Sequence, residues 1–236
     1  MKRTLLLTLV AAVAACDGCS GGDHVDAAVI GDGPCGVDME FTGEIVDWDA
    51  TDAMFCGVFM ATVTAHSDAT RTNKSNPNGR FDVCLPRAAT AQVDITPPVA
   101  ASMCGAAGIY QIPGIMIANQ QVIGTMKLFS ARMLGMNRLT PFFTGVGVTY
   151  DPAKATVFVH VEGTSHPVTI SAAHDTTLAW SGTAWAAGDS GVDVVFPNTD
   201  VGSGTTMVGV TGGSAIGTGA IPVVANTFTY VTIVGQ

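Results

Sequence analysis

Residues 76–86 read Asn76-Pro77-Asn78-Gly79-Arg80-Phe81-Asp82-Val83-Cys84-Leu85-Pro86, and this stretch decides the fold class. Asn-Gly takes positive φ at low cost and so marks a tight turn. After it Phe81, Val83 and Leu85 alternate with more polar neighbours, which places them on one face of a strand, and Pro86 stops that strand. Upstream, residues 41–46 and 58–65 carry similar β-type runs, and downstream 91–96 adds another before Pro97-Pro98. A second passage of this layout begins near Ala155: 155–161 alternates, 167–171 gives a short strand, and Gly188-Asp189-Ser190-Gly191 turns the chain. Val192, Val194 and Phe196 then share a face, with Pro197 read as the end of the strand. Residues 201–219 read as Gly-rich loops around a strand near 207–210, and 226–234 as a closing strand. The expectation is a mainly β protein of two related antiparallel β-sandwiches in tandem.

Between the two passages, 125–139 places Met126, Phe129, Met133 and Met136 at helical spacing, which predicts a short amphipathic helical linker. The expected organisation is a signal segment 1–15, a tether 16–37, a first sandwich 38–100 with strands reaching as far as about 124, a linker 125–140, and a second sandwich 141–236.

The chain has 236 residues, 47% of them hydrophobic and only 12% charged, so it carries enough apolar material to fold and is not a disordered tail. Met1-Lys2-Arg3 is a basic opening and 4–12 an apolar run too short to span a bilayer, the layout of an export signal. It ends Val13-Ala14-Ala15-Cys16, which resembles the bacterial lipobox, in which the cysteine thiol is joined to diacylglycerol. Lipidated Cys16 implies a membrane-anchored protein of the bacterial cell envelope, and the Gly- and Asp-rich segment after it a flexible tether. Asp17 resembles an inner-membrane retention signal of some bacteria, a rule that differs between lineages and leaves inner and outer membrane both open. Removing the signal takes Lys2 and Arg3 from the 10 basic residues and leaves the 19 acidic ones, so the mature chain is more acidic than the whole chain's −9. Nucleic acid needs clustered Lys and Arg, and none are present, so it is excluded as a partner.

With Cys16 acylated, Cys19, Cys35, Cys56, Cys84 and Cys104 remain of the 6 cysteines. An oxidising envelope favours pairing. Cys19 on the tether is the odd one out, and Cys35–Cys56 with Cys84–Cys104 is one pairing among three for the others.

Gly43-Glu44-Ile45-Val46-Asp47, the apolar run near Val58, and 76–86 together resemble the carboxypeptidase regulatory-like, transthyretin-like domain. The resemblance covers roughly 41–96 and is echoed weakly by Gly191-Val192-Asp193-Val194-Val195-Phe196-Pro197. It implies prealbumin-like (Ig-like) β-sandwiches that accompany other domains or sit on bacterial surfaces without catalysis of their own.

No catalytic residues are assigned and no cofactor is expected. H-E-x-x-H is absent, Gly212-Gly213-Ser214-Ala215-Ile216 fails the G-x-S-x-G elbow at its last position, and the Gly-rich loops lack a phosphate-binding Lys. Three weaker constellations stand beside their bland readings. His160, His166 and His174, with Glu162 nearby, form the metal-ligand set that a small hydrolase would need; scattered strand histidines more commonly face solvent. Trp180 and Trp185 offer a stacking platform for carbohydrate, against packing in the core. Asp47 and Asp49 flank Trp48, a Ca²⁺- or sugar-binding pattern, against a solvated loop with its aromatic turned inward. The sequence therefore favours a non-catalytic, lipid-anchored envelope protein acting as a structural, adhesive or ligand-binding module, its partners being the membrane and other envelope proteins or glycans.

Overall fold

The computed structural model describes residues 35–48, 56–99, 108–125 and 128–236. The expected signal, Cys16, Cys19, most of the tether, Asp49 and Cys104 lie outside the described residues.

The first half contains β1 (Met39–Asp47), β2 (Thr62–Ala65), β3 (Asp68–Lys74), β4 (Arg80–Leu85), β5 (Thr90–Thr96), β6 (Gly114–Asn119), α1 (Gln120–Thr125), β7 (Phe129–Met133) and α2 (Met136–Gly145). The second contains β8 (Ala155–Gly163), β9 (Val168–Ile170), β10 (Leu178–Trp180), β11 (Trp185–Ala187), β12 (Asp193–Thr199), β13 (Thr205–Val210), β14 (Ala215–Ile216), β15 (Gly219–Pro222) and β16 (Phe228–Gly235). The protein is mainly β, with little helix.

The turn at 76–79 forms as its residues dictate. Asn76 Oδ1 accepts from the backbone N–H groups of Asn78 at 2.9 Å and Arg80 at 3.1 Å, and Gly79 N–H donates to Asn76 O at 2.8 Å. Gly79 has φ +75, and a Cβ there would lie 2.1 Å from Ile45 O, so both backbone angle and space require glycine. The turn delivers β4 antiparallel onto β1, with Phe81 opposite Gly43. The Phe81 ring occupies the space a Gly43 side chain would need, with Cζ 2.4 Å from the ideal Cβ position.

The described strands form three sheets. A ten-stranded central sheet runs β11-β10-β12-β8-β16-β6-β5-β2-β3, with β14 also paired to β16; the others are β4-β1-β7 and β15-β13-β9. Alternation along the central strands sorts their side chains to two faces. Val93, Ile95, Met116, Phe158, Val195, Phe228 and Tyr230 pack with Phe41, Ile45, Phe81 and Phe129 of the β4-β1-β7 layer. On the opposite face Ile117, Val157, Val159, Val194, Phe196, Val231 and Ile233 pack with Val168, Val208 and Ile221 of the β15-β13-β9 layer. The two sandwiches follow one another in sequence, but they share the central sheet and carry their covering layers on opposite faces. β16 is the joint: it pairs in parallel with β8 on one side and β6 on the other. Its core residues Phe228, Tyr230, Val231 and Ile233 are at most 4% exposed, each such side chain being worth about 1.5–3 kcal/mol of burial.

Several expectations are corrected. The pairing is not antiparallel throughout, since β1–β7, β6–β16 and β8–β16 are parallel. The segment expected as a helical linker holds strand β7, and the helix after it is α2, from Met136. Phe129 and Met133 fit helical spacing, but with Ala131 they also fit a period of two, and these three are the buried positions against β1. Pro197 does not end its strand; it lies within β12 at a register shift between Phe196 and Thr199, where a missing N–H costs no ladder bond. Cys35 pairs with Cys84 rather than Cys56, across 49 residues, tying the approach to β1 to the end of β4. Cys56 is itself disulfide-bonded.

Candidate functional site

A corner groove of about 360 Å³ is lined by Glu44, Leu128, Ser130, Arg132, Phe158, His160, Glu162 and Asp193. The even-numbered residues of β8, on the face that buries Phe158, carry His160 and Glu162 beyond the end of the aromatic core. Antiparallel register sets Asp193 of β12 opposite His160. The facing wall comes from β1 and β7, whose parallel register sets Glu44 beside Ser130.

His160 is the centre of the site. Its Nδ1 lies 2.7 Å from Asp193 Oδ1 and its Nε2 3.0 Å from Glu162 Oε1. Asp193 is only 8% exposed at its side chain, Glu162 49% and His160 31%. A carboxylate only accepts, so both ring nitrogens are satisfied as donors when the ring is an imidazolium. Burial alone would lower the His160 pKa, but the hydrogen bonds and charges of Asp193 and Glu162 outweigh it and hold it above the ordinary 6.5. Across the groove Glu44 has no hydrogen-bond or ion-pair partner among the described residues. Arg132 donates from Nη1 to Trp48 O at 3.4 Å, and its carbonyl accepts from the Tyr230 hydroxyl, whose pKa burial pushes far up. The groove thus combines three carboxylates, a guanidinium, an imidazole and a serine hydroxyl above an aromatic base: a surface for polar, hydroxylated or cationic ligands.

The other sequence candidates fall elsewhere. His166 Nε2 meets Gln236 O at 2.9 Å, while His174 Nδ1–H donates to Asp175 O at 2.6 Å with its ring edge on Phe196. The histidine set is not brought together, and no group of three metal-ligating side chains forms among the described residues. His160 and Glu162 do meet, each ring nitrogen of His160 facing a carboxylate oxygen.

Trp185 stacks on Trp48 with ring centroids 5.6 Å apart and meets Phe142 and Phe158 edge-on; Trp180 lies tilted against it at 5.5 Å. Trp185 packs against the core, and half-buried Trp180 packs tilted on Trp185, so the two do not form one flat platform. Asp47 is not on a solvated loop: it ends β1 at 4% exposure and accepts from the Tyr110 hydroxyl at 2.6 Å. Trp48 turns inward, as the bland reading of its loop expects.

Sequence reasoning missed Glu44, Ser130, Arg132 and Asp193. For Asp193 a signal exists: it is an acid inside the apolar run 192–196, and a carboxylate in such a run needs a partner. The others are brought to the groove by the parallel β1–β7 pairing, which no local pattern announces.

No family model matches the chain, and no curated protein does. Among solved structures, the shaft pilin SpaA from Lactobacillus rhamnosus GG aligns at 9% identity over 84% of this chain and 98% of that chain, with a TM-score of 0.26. A Streptococcal ancillary pilin aligns at 8% identity over 84% of this chain and 69% of that chain, with a TM-score of 0.24. At these scores the architecture is defined by the chain's own three sheets.

Proposed function

We propose that this chain is an exported, lipid-anchored and non-catalytic module of the bacterial cell envelope, with a structural, adhesive or ligand-binding role, its ligand met in the corner groove. The observation that carries the reading is the Cys35–Cys84 disulfide, which closes β1 onto β4. Such bonds form and persist in oxidising compartments and are rare where thiols are kept reduced. The lipobox-like 13–16 supplies the anchor, a Gly- and Asp-rich tether follows it, and the sequence at 76–86 resembles that of surface-borne transthyretin-like domains.

The test is fractionation of cells expressing the wild type and Cys16→Ser. Wild type is expected in the membrane pellet after a high-salt wash, and the variant in the soluble fraction. A variant that still sediments with membrane after the wash overturns the anchored reading.

A further inference from the structure

We propose that the Asp193–His160–Glu162 trio is a proton-operated clamp that joins β12 to β8 and sets the charge of the corner groove. It stands apart from the anchoring reading, because a chain without any lipid carries the same trio.

The geometry is the argument. A neutral imidazole has one N–H, yet both nitrogens of His160 face carboxylate oxygens, at 2.7 and 3.0 Å. The second proton is therefore needed to complete both bonds. When it leaves, the two carboxylates are not equivalent. Asp193 is buried, so abandoning it costs more than releasing Glu162, which is half-exposed and finds water readily. The remaining proton stays on Nδ1 facing Asp193, and the bare Nε2 repels Glu162. The side chain of Glu162 turns out and joins the unpartnered Glu44 as a second free carboxylate in the groove. Deprotonation thus converts a groove in which His160 and Arg132 offset most of the acidic charge into one that attracts cations.

The charged groups facing the imidazole are Asp193 from β12, Glu162 on β8 itself, and Glu44 and Arg132 from the β1–β7 wall. Its neighbour on β16 is Thr232, which does not titrate. The carboxylates outnumber the guanidinium, and the geometry favours the charged ring. The clamp's contribution to stability is therefore complete below 6.5, the value for an unfolded histidine, and is lost as pH rises through the folded value.

The experiment is an NMR titration of the His160 Cε1–H resonance in the full mature chain, assigned with His160→Gln, in wild type, Glu162→Gln and Asp193→Asn. The expected result is a wild-type midpoint above 6.5, a lower midpoint in Glu162→Gln and a still lower one in Asp193→Asn. A wild-type midpoint at or below 6.5, or an equal midpoint in Glu162→Gln, overturns the clamp. Should Asp193→Asn fail to fold, the exposed Glu162→Gln decides alone. As a second readout, the melting-temperature difference between wild type and His160→Gln is expected to shrink as pH rises through the measured midpoint; a difference that stays flat or grows over that interval overturns the proposal.

Discussion

Replacing Trp48 with alanine tests whether the two sandwiches fold as one unit. Trp48 is 5% exposed at the end of β1, and its ring centroid lies 4.7 Å from Phe142 of α2, 5.6 Å from Phe158 of β8, 5.6 Å from Trp185 of β11 and 5.9 Å from Phe228 of β16. One residue of the first half therefore touches three strands of the second. Deleting a buried aromatic costs about 3–5 kcal/mol through lost burial and the cavity left behind. The upper part of that range applies here, because four aromatic partners surround the ring and cannot all close in. At about 2–4 °C per kcal/mol for a chain of this size, Tm should fall by roughly 8–20 °C. The assay is urea unfolding of the soluble Cys16→Ser protein followed by far-UV circular dichroism and by the remaining indole fluorescence. The two signals should move together, since the shared sheet leaves neither half an independent core. Trp48→Phe should lose less than the alanine variant, because it keeps much of the aromatic contact and removes a buried Nε1–H that has no acceptor among the described residues. A loss below about 1 kcal/mol for Trp48→Ala, or two separated transitions in the wild type, would refute the reasoning.

Other outcomes follow from single positions. Gly79→Ala should destabilise by more than about 1 kcal/mol in chemical denaturation, since it forces a Cβ toward Ile45 O at positive φ. Cys35→Ser with Cys84→Ser opens a loop closed across 49 residues and should cost about 4 kcal/mol on chain-entropy grounds, measured as a shift in the urea midpoint. Peptide mapping without reductant should recover Cys35 linked to Cys84, and a Cys35–Cys56 peptide would contradict the fold. Asn198→Ala removes donors to Thr149 O at 2.7 Å and Asp175 Oδ2 at 2.6 Å from a residue at φ 46, so thermal melting should show a loss of about 2 kcal/mol or more.

Local chemistry made much of the scaffold readable. The 76–79 turn, β4, β5 and β13 carry a turn residue or an alternation that survives into the structure, while β8 and β16 form as strands but are buried along most of their length. β3 was silent because Asp68–Lys74 is an edge strand with almost no buried side chain, so it has no apolar period to detect. β6 was missed for the opposite reason: five consecutive buried residues, packed on both faces, show no alternation at all. The same two-sided burial hid the continuity of β12 through Pro197. His160 stands out in the sequence with His166 and His174, and Glu162 only as a neighbour; that His160 and Glu162 share a face follows from their being two apart on one strand. Their partner Asp193 and the facing Glu44 depend on strand order, which a single sequence does not state. The disulfide pairing likewise follows from β1 meeting β4, not from cysteine spacing.

Mass spectrometry of the N-terminal peptide of the mature protein, isolated from its native membrane, tests the central claim most directly. The account predicts a peptide that begins at Cys16 and carries the added mass of diacylglycerol on its thiol. A peptide that retains residues 1–15, or one cleaved elsewhere with no lipid on Cys16, would contradict it.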